Sequence, residues 1–175
     1  MIERIAAVIK PIHKIAVPID FSLYSKVAAS YAAVLAKSSC AALALINVID
    51  QRGLERIKRL ISIANTFAVE GFEKERLADR TKQLRSIAAE MEQQGLQIET
   101  HVVVDLPFRG ILKCVSQSKS DFIVMVTKGR TNTTDVLVGS CAEKLFRRSP
   151  VPVLSIPAAF VSTYETKSGE EPAAI

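Results

Sequence analysis

Tryptophan is absent from this 175-residue chain, and aromatic residues of all kinds make up 6% of it. No Lys or Arg run is interleaved with aromatics, so the stacking platforms of RNA-binding sheets have no counterpart here. Glycine is also scarce. The seven glycines, Gly53, Gly71, Gly95, Gly110, Gly129, Gly139 and Gly169, cannot be arranged into G-x-G-x-x-G, which excludes a dinucleotide fingerprint. Lys128-Gly129 stands in the wrong order for a P-loop, and there is no G-x-S-x-G elbow. The two histidines, His13 and His101, have no metal-ligand spacing around them and read as structural or surface residues. The three cysteines, Cys40, Cys114 and Cys141, are odd in number and widely spaced. That excludes a disulfide framework and a zinc site, and their apolar contexts predict buried free thiols in a reducing compartment. No apolar run approaches the ~20 residues of a membrane helix, and no secretory h-region is legible. The expectation is a soluble, cytoplasmic protein.

Hydrophobic residues are plentiful at 49%, enough for a sizeable single core. The net charge is +5, with one local cluster at Arg56, Lys58 and Arg59. A solvated helix face accounts for that cluster more simply than nucleic acid does.

Strand and helix patterns alternate along the chain. Lys14 to Pro18 reads as a buried strand, followed by a turn and a helix capped by Ser22. That helix is predicted to turn Leu23, Val27, Tyr31, Val34 and Leu35 inward and to run to about Ser38. Ala41 to Val48 is a second strand, Asp50 to Gly53 a loop, and Leu54 to Ala64 a helix. Gly71 interrupts the pattern before a long helix from Glu73 to Gln94, with Leu77, Leu84, Ala88 and Met91 inward and Gly95 just past its end. Ile98 to Val104 alternates as a half-exposed edge strand. Pro107 opens a further helix, Phe122 to Val126 is a fourth buried strand, and Ser140 to Arg148 is a helix with Cys141, Ala142, Leu145 and Phe146 inward. Val153 to Ile156, behind Pro150 and Pro152, is a short fifth strand at the other edge. Met1 to Lys10 has helical spacing, and the tail after Pro157 has no clear pattern. The architecture implied is a single-domain α/β protein with an open, mostly parallel five-stranded sheet and helices on both faces.

In such sheets ligands bind beyond the carboxyl ends of the strands where strand order reverses. If the first and fourth strands flank that point, two loops meet there. One is Pro18 to Ser22. The other leaves the fourth strand through Lys128, Gly129, Arg130 and a run of Thr and Asn, and enters a helix at Gly139-Ser140. Strand, glycine-containing polar loop and helix start are the elements of an anion cradle.

Together the two loops resemble the universal stress protein family. Its ATP-binding branch carries G-x-x-G, nine residues, then G-[ST] after the fourth strand. Here Val126-Thr127-Lys128-Gly129 is followed by nine residues, Arg130 to Val138, and then by Gly139-Ser140. The second glycine, the spacer, the third glycine and the serine match, while Val126 replaces the first glycine. Val17-Pro18-Ile19-Asp20-Phe21-Ser22 resembles the family's V-P-x-D-x-S. Ile46-Asn47-Val48 stands where L-H-V is common, Asp105-Leu106-Pro107 where G-x-P is common, and Ser149 to Ile156 fits the closing strand.

The resemblance implies a stress protein domain over residues 12–157, an N-terminal extension over 1–11, a C-terminal tail over 158–175, and strand order 3-2-1-4-5. It implies ATP, with or without Mg, as the ligand. Pro18, Asp20 and Val48 would line the adenine and ribose side, Met125 and Val126 would approach the base or sugar, and Gly129, Gly139, Ser140 and the N–H of Cys141 would hold the phosphates. Lys128 and Arg130 would add charge. If the backbone at Val126 requires positive φ, valine is strained; if it is extended, valine only narrows the pocket. No acid, base or nucleophile set is legible, so at most weak hydrolysis of ATP is expected. A homodimer through the Val153 to Ile156 edge is implied, with protein clients unknown. A dimeric scaffold that binds no nucleotide is the alternative reading, and an adenine-nucleotide enzyme a more distant one.

Overall fold

A computed structural model describes residues 11–64, 68–127 and 139–161, with the side chains of residues 61–70 also outside the description. The five strands are β1 (Lys14–Pro18), β2 (Ala42–Asp50), β3 (Ile98–Asp105), β4 (Phe122–Val126) and β5 (Val153–Ile156). They form one sheet in the order β3-β2-β1-β4-β5. Every pairing is parallel, with Ala16 beside Ala44 and Ile123, and Ile123 beside Val153. The expected class and strand order are therefore observed. The described helices are α1 (Leu23–Ser39), α2 (Gln51–Ala64), α3 (Ala68–Glu92), α4 (Pro107–Ser118) and α5 (Ser140–Arg148). Among the described residues no helix is long and apolar enough to cross a membrane.

The central strands are apolar on both faces because helices cover both. Ile15, Val17, Leu43 and Leu45 face α1 and α3, where Leu84, Ala88 and Met91 close the layer. Ala16, Ile46, Ile123 and Met125 face α4 and α5, where Ile111, Val115 and Leu145 do the same. The two edge strands, β3 and β5, are those whose alternation and prolines predicted an edge.

Several local expectations change. Of its predicted face α1 buries Val27 and half-buries Leu35, but not the other large residues. Leu23, Tyr31 and Val34 are exposed, whereas Ala28, Ala29, Ala32, Ala33 and Ala36 are buried. A stripe of alanines lets the helix axis lie close to the sheet, and the larger residues are left on the flank. Leu77 and Phe146 are likewise exposed, as are Ile57 and Leu60. The expected loop at Asp50 to Gly53 is the end of β2 and the first turn of α2, where Asp50 Oδ1 accepts from Arg52 N at 3.0 Å. Gly71 does not interrupt α3, which begins at Ala68 and ends at Glu92. Gly95 does take the left-handed conformation after that helix, at φ 83°. Cys40 is exposed rather than buried, because it terminates α1 with φ 54° and its N–H reaches back to Ala36 O. Cys114 is buried and Cys141 half-buried. The N-terminal helix expected over residues 1–10 lies outside the described residues.

Candidate nucleotide cleft

Strand order reverses between β1 and β4, so the connections leaving these strands diverge to opposite faces of the sheet and leave a crevice at their carboxyl ends. The first wall is the β1 exit. Ile19 extends the ladder one residue past Pro18, its N–H donating to Ile46 O at 2.7 Å. Its carbonyl then accepts from Asn47 Nδ2 at 2.7 Å. The chain turns sharply at Phe21, which sits at φ 68°, a conformation rare for a bulky residue. Three contacts hold that turn. Asp20 Oδ1 accepts from Ser22 N at 3.0 Å and from Ser22 Oγ at 2.5 Å, and the Arg80 guanidinium lies 5.0 Å from the Phe21 ring centre. Ser22 caps α1 as expected, its Oγ accepting from Ser25 N at 3.3 Å.

The second wall is the junction of β4 and α5. Thr127 N donates to Ile156 O at 3.1 Å, and Thr127 O accepts from Gly139 N at 2.8 Å. The end of β4 and the start of α5 are thus clamped together. Glycine serves here because of this approach: a Cβ at position 139 would lie 3.2 Å from Thr127 O. Its φ of −65° is open to any residue. Ala142 and Leu145 anchor the helix in the core. Gly139 has no side chain to cap α5, so among the described residues its first-turn N–H groups have no side-chain cap.

Between the walls lies a cavity of about 460 Å³, within the usual range for small-molecule sites. Of the nine residues expected at a site, Pro18, Asp20, Val48, Met125, Val126, Gly139 and Cys141 line this one cavity. Ser140 is exposed at the first position of α5 and is not part of the lining. Gly129, with Lys128 and Arg130, falls outside the described residues. Val126 is the last residue of β4 and is not among the positive-φ non-glycine residues, which among the described residues are Phe21, Cys40 and Lys119. Its backbone is therefore unstrained; the residue lines the cavity, and its side chain belongs to the core layer that α1 and α3 cover.

Sequence reasoning missed Ile19, Ser25, Ile46, Pro107, Ile111, Thr127 and Ala142, which complete the lining. Some carried a signal. Ile46 precedes Val48 by two residues and so shares its face of β2. Ile111 follows Pro107 by one helical turn. Thr127 directly follows a residue already singled out.

The electrostatics suit binding more than covalent chemistry. Burial pushes the Cys141 thiol up to about 11, with Lys144 pulling it down and Asp20 pushing it further up. A thiol that stays protonated at neutral pH is a poor nucleophile. Among the described residues, no three His, Cys, Asp or Glu side chains are grouped to hold a metal ion.

Comparison with known proteins agrees with this architecture. The universal stress protein family model matches residues 11–157. The universal stress protein MJ0577 of Methanocaldococcus jannaschii is 29% identical over 151 residues, covering 82% of this chain and 93% of the relative. A solved structure of MJ0577 superposes with a TM-score of 0.72 at 24% identity, covering 84% of this chain and 96% of the other. A universal stress protein from Archaeoglobus fulgidus solved in complex with dAMP gives a TM-score of 0.54 at 18% identity, covering 84% of this chain and 99% of the other. A further universal stress protein solved in complex with cAMP gives 0.57 at 22%, covering 84% and 98%. The chain belongs to the universal stress protein family.

Proposed function

We propose that the cleft at the ends of β1 and β4 binds an adenine nucleotide, with ATP, with or without Mg, as its ligand. In this reading the protein is a cytoplasmic, homodimeric stress-response module with at most weak hydrolysis of its ligand. The observation that carries the proposal is the convergence of Pro18, Asp20, Val48, Met125, Val126, Gly139 and Cys141 on one cavity. The complexes of family members with dAMP and cAMP support the adenine class.

The donors and walls fit such a ligand. Ile46, Val48, Ile111 and Met125 offer an apolar slot for a base, with the Asp20 carboxylate at its edge as an acceptor. The uncapped N-terminus of α5 offers first-turn N–H groups and the positive end of a helix dipole to phosphates, at Gly139, Ser140 and Cys141. Glu143 in that first turn opposes an anion, but it is exposed and lies 3.8 Å from Arg147. Gly129 would join the phosphate side through the loop between Thr127 and Gly139. When bound, the nucleotide adds its binding free energy to the stability of the folded chain.

The dimer is proposed through β5, whose pairing with β4 leaves its outer edge without a strand partner among the described residues. Ser155 Oγ is buried there with no hydrogen-bond partner among the described residues. An unpaired parallel edge is a natural place for a second copy across a two-fold axis. A nucleotide-free scaffold is the second reading, favoured by Val126, which lines the cavity where the family's ATP-binding branch carries its first glycine. Chromatography of the supernatant from denatured, freshly purified protein tests the first reading, together with light scattering with and without MgATP. Co-purifying adenine nucleotide supports it. A dimer that carries no nucleotide and gains no thermal stability from millimolar MgATP would leave the scaffold reading standing instead.

A further inference from the structure

A second cavity, of about 190 Å³, lies beyond the carboxyl end of β2 against α2 and α3. Its walls are partly apolar, from Leu54, Ile57 and Phe72, and its polar groups are Asn47, Asp50, Arg76 and Arg80. Asn47 is the informative one. It is 4% exposed, and its orientation is fixed because Nδ2 donates to Ile19 O at 2.7 Å. Its Oδ1 is buried and has no hydrogen-bond partner among the described residues. A buried amide oxygen without a donor is costly, so a group that supplies one is strongly favoured at this point. Strand alternation turns Asn47 away from the nucleotide cleft: Ile46 and Val48 pack on the α4 side, Leu45 on the α3 side.

Arg76 and Arg80 are half-buried on the same wall, one helical turn apart on α3. Arg80 is already engaged over the Phe21 ring. Asp50 is held at Oδ1 by the N–H of Arg52, which leaves the Arg76 guanidinium as the natural contact for an anion. A ligand that satisfies the cavity therefore carries an O–H or N–H donor for Asn47, a negative group for Arg76, and a short apolar body against Leu54, Ile57 and Phe72. A fully deprotonated simple anion supplies the second feature without the first.

We propose that this cavity is a second ligand site, separate from the nucleotide cleft, for a small carboxylate bearing an O–H or N–H donor on the adjacent carbon. 2-Hydroxy acids and amino acids share that chemistry. Propionate is the matched control, having the same carbon skeleton as lactate and alanine without the donor. The experiment is titration of the full-length protein with L-lactate, L-alanine and propionate, followed by NMR at the Asn47 side-chain amide and the Arg76 Nε–H. Saturable shifts at both groups are expected with lactate or alanine, at least about tenfold tighter than with propionate, the worth of one buried hydrogen bond. Tighter binding of lactate identifies a hydroxy acid, and tighter binding of alanine an amino acid whose ammonium also meets Asp50. Arg76→Gln, a change at a half-buried position, is expected to weaken binding about tenfold while leaving the melting temperature unchanged. Equal binding of propionate would overturn the proposal. So would unsaturable shifts with all three ligands at tens of millimolar, a water molecule as the only occupant of a lactate-soaked crystal, or an Arg76→Gln variant that binds like the parent. Because the readout is at Asn47 and Arg76, failure of nucleotide binding leaves these outcomes unchanged.

Discussion

The two faces of the sheet are built to different ends. On the face covered by α1 and α3, small residues dominate the helix and large ones the strands, and the layer closes with Leu43, Leu45 and Leu84 fully buried. On the face covered by α4 and α5, the same apolar strands pass into a cleft, so Ile46, Met125, Ile111 and Ala142 serve at once as core and as cavity wall. The difference predicts that stability and ligand recognition separate largely by face, with Ile19 and Val126 the residues of the first layer that also reach the cavity. A change on the first face should cost folding free energy and spare the cleft, whereas a change on the second should touch both.

The largest effect is expected from Leu84→Ala. Leu84 is 0% exposed and packs on the closed face, so the substitution should cost roughly 2–5 kcal/mol by chemical denaturation, with ligand affinity unchanged. A loss of affinity in that variant would break the separation between the faces. Gly110→Ala should come next and should act on the second face. A Cβ at position 110 would stand 2.8 and 2.9 Å from the two methyl carbons of Val48 and 3.2 Å from Val103 Cγ2. Overpacking of this kind costs about 1–3 kcal/mol, and it should also push Val48 into the cleft and weaken any ligand there.

Cys141 sharpens the comparison through pH. Its thiol is held up at about 11 in the folded chain, above its ordinary value of 9.0. The unfolded chain thus releases this proton first. The associated stability is fully present below pH 9 and is lost as pH rises from there toward 11, by an amount on the order of 2 kcal/mol. Comparing the alkaline decline of the parent with that of Cys141→Ala isolates this contribution, and identical slopes would contradict it. The smallest effect is expected far from the cleft, at Glu99. The hydrogen bond from Lys14 at 2.6 Å holds its carboxyl below the usual range, against partial burial, with His101 assisting. Stability from this pair should fade as pH falls through the lowered value, but the carboxylate is 41% exposed. Glu99→Gln should therefore change stability at neutral pH by less than about 1 kcal/mol.

The sheet was legible in the sequence because buried parallel strands are written as short apolar runs and edges as alternation or proline. Strand order was reached through the family resemblance, and the location of the cleft through the reversal of that order. What was not legible depended on tertiary distance. The inward face of α1 is set by how closely alanines approach the sheet, and helical periodicity of the larger residues matches it only at Val27 and Leu35. Cys40 has an apolar neighbourhood in sequence but occupies a left-handed helix end in space. In the cleft, residues that carry motif identity, such as Pro18, Asp20 and Gly139, could be read directly. Ile46 and Ile111 could not, since as isolated aliphatic residues they look like any other part of the core. Asn47 and Arg76 come together only when β2 and α3 are placed side by side.

The central claim is that the cleft at the ends of β1 and β4 is a nucleotide site that tolerates valine at position 126, where the backbone is unstrained. Calorimetric titration of the purified, nucleotide-stripped protein with MgATP tests it most directly, with Val126→Gly measured beside the parent. Saturable binding of one nucleotide per chain is predicted in both proteins, even as the lost core side chain costs Val126→Gly about 1–3 kcal/mol of stability. No heat of binding for either protein at millimolar MgATP would contradict the account.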